Sequence, residues 1–178
     1  MTRSQFDPAF EDLPRIIPIF PLTGALLLPG GQLPLNIFEP RYLNMVQAAL
    51  ATEPRMIGMI QPTEPDLSDN RGPDPDTPEV VDPEFYRTGC GGRIISFSET
   101  EDGRYQIALA GMCRFHVVEE LAAMDGYRRV MADYHRFRRD MRRDDEIDID
   151  RERLLTALRA VLDRRGIAAE WDTIETTP

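Results

Sequence analysis

Between Ile16 and Phe38 no apolar run goes far before a proline or glycine interrupts it. The runs are Ile16-Ile17-Pro18-Ile19-Phe20-Pro21-Leu22, then Leu26-Leu27-Leu28-Pro29-Gly30-Gly31, then Gln32-Leu33-Pro34-Leu35-Asn36-Ile37-Phe38. Proline has no N–H to give to a helix interior or a central strand. The spacing therefore disfavours a helix and fits three short strands at edges or bends. Residues 1–15 are polar, lack periodicity and read as a flexible leader.

After Phe38 the pattern changes. Pro40 suits a first helical position, where a missing N–H costs nothing, so Phe38-Glu39-Pro40-Arg41-Tyr42 reads as a helix entrance. Glu39 is expected to cap it, with Phe38 and Leu43 as a hydrophobic staple. Tyr42, Leu43, Val46, Ala49 and Leu50 follow helical spacing and should face a sheet, while Asn44, Gln47 and Ala48 look outward. Met56-Ile57-Gly58-Met59-Ile60 is a short buried strand. Residues 62–83 carry six prolines and seven acids against a single Arg71, so they are expected to form a mobile loop. Order returns from Thr88 to Phe97, turns at Glu101-Asp102-Gly103 and comes back from Arg104 to Leu109 as a hairpin. A strand from Met112 to Glu119 should place Phe115 and Val117 on one side and Arg114 and His116 on the other. Another, from Tyr127 to Phe137, should alternate Val130, Ala132 and Tyr134 with Arg129, Met131 and Asp133. From Ile149 the period becomes 3.6, giving a helix with Asp148 or Asp150 at its start and Gly166 at its end. A further helix is expected from Ala168, with Trp171 and Ile174 as its apolar positions. The fold class expected is α+β, mainly β: a barrel of short strands with one packed helix over residues 16–143, then a helical segment over 144–178.

All 21 basic residues are Arg; the chain has no Lys, which excludes a Ser-Lys dyad, a Schiff base and a P-loop lysine. The net charge is −10. Residues 1–126 carry 9 Arg and 19 acids, residues 127–143 carry 7 Arg and 2 acids, and residues 144–178 carry 5 Arg and 10 acids, so one basic seam interrupts an acidic chain. Nucleic acid is disfavoured as a partner on this balance. The N-terminal residues lack the apolar stretch of a signal peptide, and no apolar run approaches the roughly 20 residues that span a bilayer. Cys90 and Cys113 suggest reduced thiols. A cytoplasmic protein with no membrane partner is expected.

Chemistry is sparse. Cys113 and His116 stand three apart on a strand and so face opposite ways, which leaves no thiol–imidazole pair readable from sequence. Cys90, Cys113, His116 and His135 lack the short ligand pair of a zinc site. Gly89-Cys90-Gly91-Gly92 precedes a strand, whereas a phosphate cradle opens a helix, so these glycines read as a bend at a barrel corner. No enzyme, cofactor or metal is expected.

Together, Pro18-Ile19-Phe20-Pro21-Leu22, Leu28-Pro29-Gly30, Leu35 to Tyr42, Gly89 to Ile94 and Leu109-Ala110-Gly111-Met112-Cys113-Arg114-Phe115 resemble the LON substrate-binding domain, the N-terminal domain of Lon proteases, with its PUA-like β-barrel. The order of these blocks is kept across residues 16–165. The resemblance implies a stand-alone bacterial member, without the ATPase and peptidase modules of the full-length proteases, and it implies recognition of protein chains. Family members usually continue through further helices, so the helical segment is expected to be truncated. Phe38, Glu39, Pro40, Arg41, Tyr42, Gly89, Gly91, Gly92, Arg93, Gly111, Arg114 and Phe115 are the motif positions and are expected to be architectural.

Two functions follow as expectations. In the first, Leu26, Leu28, Leu33, Leu35 and Ile37 bind unfolded or partner polypeptides at proline-interrupted strand edges, in the manner of an adaptor or holdase. In the second, the barrel binds RNA through Arg128, Arg129, Arg136 and Arg138, with Tyr127, Tyr134 and Phe137 stacking bases. The competing explanation for the Arg row is pairing with acids of the terminal helix.

Overall fold

The computed structural model describes residues 6–63, 84–142, 150–167, 169 and 171. The chain forms two compact units, Met1–Arg142 and Arg143–Pro178. The first contains β1 (Ile16–Pro21), β2 (Gln32–Ile37), α1 (Pro40–Leu50), β3 (Met56–Ile60), β4 (Thr88–Glu99), β5 (Tyr105–Met124) and β6 (Tyr127–Asp133), with 3-10 segments at Phe10–Asp12 and His135–Met141. The second contains α2 (Arg151–Arg165).

The sheet order is β2-β5-β4-β3-β1-β6, and β5 also pairs with β6, so five strands close on themselves and β2 hangs on the outside. Only β1 and β3 run parallel among the described pairs. Closure depends on the 20-residue β5. Its first half pairs with β2 and β4, and its second half turns to meet β6. Register shifts opposite Gly91–Gly92 and after Val117 mark where it bends. Gly111 was expected to separate two strands, but it lies inside this single one.

Glycines make the interior possible. Phe115 is fully buried inside the barrel with Ile17, Ile19, Val117 and Val130. A Cβ on Gly58 or Gly89 would sit 2.8 or 2.6 Å from the Phe115 ring. Those strands can approach only because the two side chains are absent. The second core lies between the sheet and α1, where Met45, Val46 and Ala49 meet Ile57, Met59 and Ile107. β3 is buried on both faces, with Met56 and Ile60 in the barrel core and Ile57 and Met59 in the α1 core, which explains its unbroken apolar run.

The entrance to α1 differs from expectation. Glu39 stands at the cap, but its side chain makes no capping bond; it accepts from Arg41 Nε at 2.9 Å. A charged partner two residues away competes better for the carboxylate than a backbone N–H does. Phe38 is 56% exposed beneath the Arg104 guanidinium instead of closing a staple. α1 is held by Tyr42 against Phe20, ring centroids 4.1 Å apart, and by Asn44 Nδ2 donating to the Asp125 carbonyl at 3.0 Å.

Part of the expected leader is docked. Leu13 is buried in the barrel core, and Asp7 forms an ion pair with Arg93 at 3.0 Å, both side chains being largely covered. Such a pair, 86 positions apart, carries no local sequence signal. β6 ends at Asp133, four residues short of the expected Phe137, because the chain turns into the 3-10 segment. That segment is tied to β5 by Asp140, which accepts from the Arg114 N–H at 3.1 Å and from its guanidinium at 2.8 and 2.7 Å.

In the second unit Asp150 Oδ1 accepts from the Arg153 N–H at 2.9 Å, and Gly166, with φ 65°, ends α2 in the left-handed conformation. Most of the helix expected from Ala168, and residues 64–83 of the acidic loop, lie outside the described residues.

Candidate functional site

The middle proline-interrupted run is not a strand. Residues 25–28 form an irregular loop in which Leu27 alone turns inward, buried in the α1 core, while Leu26 and Leu28 remain 67% and 54% exposed. Two glycines make the socket for Leu27. A Cβ on Gly92 would stand 2.6 Å from Leu27 Cδ2, and one on Gly111 would overlap the Leu28 carbonyl. The Gly30 N–H donates to the Gly111 carbonyl, and the Gly111 N–H to that of Gly31, both at 2.9 Å. Gln61 Nε2 donates to the carbonyls of Leu22 and Ala25, pinning the other end of the loop. The two exposed leucines are thus held in water by a fixed backbone.

Next to this loop runs β2. Leu33 and Leu35 are half-buried and pack against the α1 core, but Ile37 is 1% exposed. Ile37 is therefore withdrawn as a polypeptide contact, because its position opposite Tyr105 faces inward. Gly111 donating to Gly31 fixes the phase of the β2–β5 ladder. By alternation Leu33, Leu35 and Ile37 bond to β5, and Gln32, Pro34 and Asn36 turn their backbone groups to the open side. Pro34 is tolerated because the N–H it lacks would have faced solvent. At the far end, β4 and β5 run on as a hairpin on which Ile95 and Phe97 are exposed.

Several of the other motif positions make contacts within the fold. Gly89 and Gly91 face the barrel interior, Arg41 pairs with Glu39, Arg93 with Asp7 and Arg114 with Asp140.

Three of the four arginines expected to contact RNA are engaged by the protein itself. Arg128 makes a bidentate pair with Glu120, at 2.6 and 2.9 Å, and lies over the Phe85 ring. Arg129 donates to the Ala122 carbonyl at 3.0 Å, and Arg138 pairs with Glu11 at 2.9 Å above Phe10. Arg136 is exposed. Tyr127 and Tyr134 are buried and unable to stack bases, and Phe137 lies under Arg114. Guanidinium groups already matched to carboxylates and rings have little left for phosphates. The acids that pair with Arg128 and Arg138 come from β5 and the N-terminal turn and not from the terminal helix.

Both thiols are buried. Burial, followed by the neighbouring Cys113 and Asp140, pushes the Cys90 thiol up to about 12, the opposite of what a nucleophile needs. His116 lies opposite Thr88 and Asp133, and the His135 ring meets Phe10 at 5.8 Å. Among the described residues, no three His, Cys, Asp or Glu side chains are grouped to hold a metal ion, and no helix is long and apolar enough to cross a membrane.

The described residues form a mainly β pseudobarrel with one packed helix. Residues 16–171 match the ATP-dependent protease La (LON) substrate-binding domain, and the chain belongs to that family. It is 28% identical over 109 residues to Lon protease 2 of Myxococcus xanthus, covering 61% of this chain and 12% of that protease. It is 30% identical over 127 residues to the Lon protease of Roseiflexus castenholzii, covering 70% of this chain and 14% of that protease. The chain thus spans only a small part of these relatives. Its fold is similar to that of the N-terminal domain of a Mycobacterium avium complex Lon protease, with TM-score 0.52 and 17% identity over 90% of this chain and 73% of that one.

Proposed function

We propose that this chain captures segments of other polypeptides without catalysis, as a cytoplasmic holding module or adaptor. The substrate-recognition character is that of its family. The observation that carries the rest is the Leu26–Leu28 loop: a backbone fixed by Leu27 and two glycines presents two leucines to water next to β2. Fully burying one leucine gains about 1.5–3 kcal/mol.

The test is a fluorescence-anisotropy titration with a labelled, carboxymethylated polypeptide that cannot fold. The wild-type protein should bind it, and the Leu26→Ser, Leu28→Ser double variant should bind at least tenfold more weakly with unchanged thermal stability. Absence of wild-type binding up to high micromolar concentration overturns the reading.

A further inference from the structure

We propose that the captured segment adds as a strand to the distal edge of β4, residues 95–99, with an apolar side chain against Phe97 and a basic one two positions along against Glu99. This rests on the polypeptide-binding reading and assigns it a place and a partner chemistry.

The edge is open. β3 covers β4 only from Cys90 to Arg93, and the last contact on that side is the Ile94 N–H donating to the Arg55 carbonyl at 3.0 Å. Beyond Ile94, among the described residues, β4 has a neighbouring strand on the β5 side alone.

The phase of the ladder shows which groups face outward. At the hairpin end the Thr100 N–H donates to the Arg104 carbonyl and the Gly103 N–H to that of Thr100, both at 2.9 Å. Antiparallel alternation makes Ser98–Gln106 and Ser96–Ala108 the bonded pairs, so the N–H and C=O of Phe97 and Glu99 point away from β5. The ladder on the other side of β5 agrees. Tyr105 and Ile107 spend their backbone groups on Ile37 and Leu35 and have none for Glu99 and Phe97. Two donors and two acceptors, spaced as a strand needs them, therefore point away from β5; the Glu99 carbonyl takes a long bond from the Ser98 hydroxyl, at 3.5 Å, and keeps a second acceptor site.

The rival edge is closed to this use. On β2 the outward positions are Gln32, Pro34 and Asn36, and Pro34 removes the central donor and puts its ring in that place. Residues 95–99 contain no proline.

The side chains select the occupant. Phe97 and Glu99, two apart on a strand, share a face. Phe97 is 40% exposed and meets the Tyr105 ring edge-on at 5.0 Å, and the Tyr105 hydroxyl accepts from Gln47 Nε2 at 2.6 Å, so α1 braces the aromatic floor. Glu99 and Glu101 are exposed, whereas the nearby Arg104 is paired with Asp102 at 2.9 Å. The edge thus presents one aromatic surface and an acidic end. An extended segment carrying an apolar residue and an Arg or Lys in i, i+2 relation complements both.

The probe is a labelled octapeptide of Thr and Ser with one Val and one Arg two positions apart. Alongside it run a twin N-methylated at alternate amides, a twin with Glu replacing Arg, and the carboxymethylated polypeptide. Two protein variants separate the edges. Glu99→Pro removes an outward N–H of β4 and leaves the β5 ladder intact; Gln32→Pro does the same on β2. With native circular dichroism in both, Glu99→Pro should weaken octapeptide binding more than tenfold and Gln32→Pro less than twofold. Both altered peptides should lose more than tenfold, and Phe97→Ala at least fivefold. Equal binding by Glu99→Pro and wild type, or of the N-methylated twin, overturns the edge assignment. Capture of the unfolded polypeptide without the octapeptide does so too, while leaving the broader reading standing. Binding of neither by the wild type overturns both.

Discussion

Replacing Gly111 by Ala puts a methyl group where the Leu28 carbonyl stands, with backbone on both sides and no flexible side chain to give way. The loop must lift off β5. It then loses the two bonds between Gly111 and Gly30–Gly31, worth about 0.5–1.5 kcal/mol each. It also withdraws Leu27 from its socket, at a further cost of about 1.5–3 kcal/mol. The total is about 2.5–6 kcal/mol, a large share of the roughly 5–15 kcal/mol that holds a domain together. Urea unfolding of Gly111→Ala should show that loss, and hydrogen exchange should show the Gly30 amide opening. Capture of unfolded polypeptide should fall as well, because Leu26 and Leu28 lose their fixed base. Gly103→Ala is the comparison: it meets nothing within 4 Å and tests only the positive φ of 80°, so it should cost about 1 kcal/mol. A Gly111→Ala protein within 1 kcal/mol of wild type, with its Gly30 amide still protected, would refute the socket argument.

Three further outcomes follow from the described contacts. Arg93→Ala removes the largely covered ion pair that ties Asp7 to β4, so stability should drop by about 1–3 kcal/mol and limited proteolysis should begin within residues 6–13. Burial raises the Asp140 carboxyl, but the bonds from Arg114 outweigh it and hold the group below its ordinary 3.8. A depressed carboxylate stabilises the fold above its unfolded value and ceases to do so as pH falls through its folded one. Asp140→Asn should therefore cost about 1–2 kcal/mol at pH 7, discounted because Arg114 is half-exposed, and the gap in urea midpoint should close below pH 3.8. The buried Tyr134 hydroxyl has no hydrogen-bond partner among the described residues. Tyr134→Phe should thus leave thermal stability unchanged or raise it by about 1 kcal/mol; a loss above 1 kcal/mol would mean the hydroxyl is bonded.

Local patterns carried much of the fold. The alternation of Phe115 and Val117 with Arg114 and His116 marked the barrel-facing side of β5, and the run at 56–60 matched a strand buried on both faces. Asp102-Gly103 marked the hairpin, and Asp150 with Gly166 bounded α2. Features set by distant partners escaped. Three successive leucines cannot show that only Leu27 will find a socket, because Gly92 and Gly111 form it some 65–84 positions away. Asp7 gave no sign of Arg93. Gly111 looked like a break because its role, admitting the Leu28 carbonyl, belongs to a neighbouring loop. Ile37 resembled Leu33 and Leu35 in spacing but lies deeper under α1. The Arg row was visible as charge, but the pairing of Arg128 with Glu120 and of Arg138 with Glu11 depends on barrel closure. Pro34 was legible as an edge marker; that it seals the edge required the ladder phase.

The central claim, that polypeptide is bound on the β2–β5–β4 face, is tested most directly by nuclear magnetic resonance. Protein labelled at leucine methyls and backbone amides would be titrated with the carboxymethylated polypeptide. Shifts are expected at the Leu26 and Leu28 methyls and at the amides of Phe97 and Glu99, with the Leu27 methyls unmoved. Shifts confined to Arg128–Arg142, or none anywhere, would contradict it.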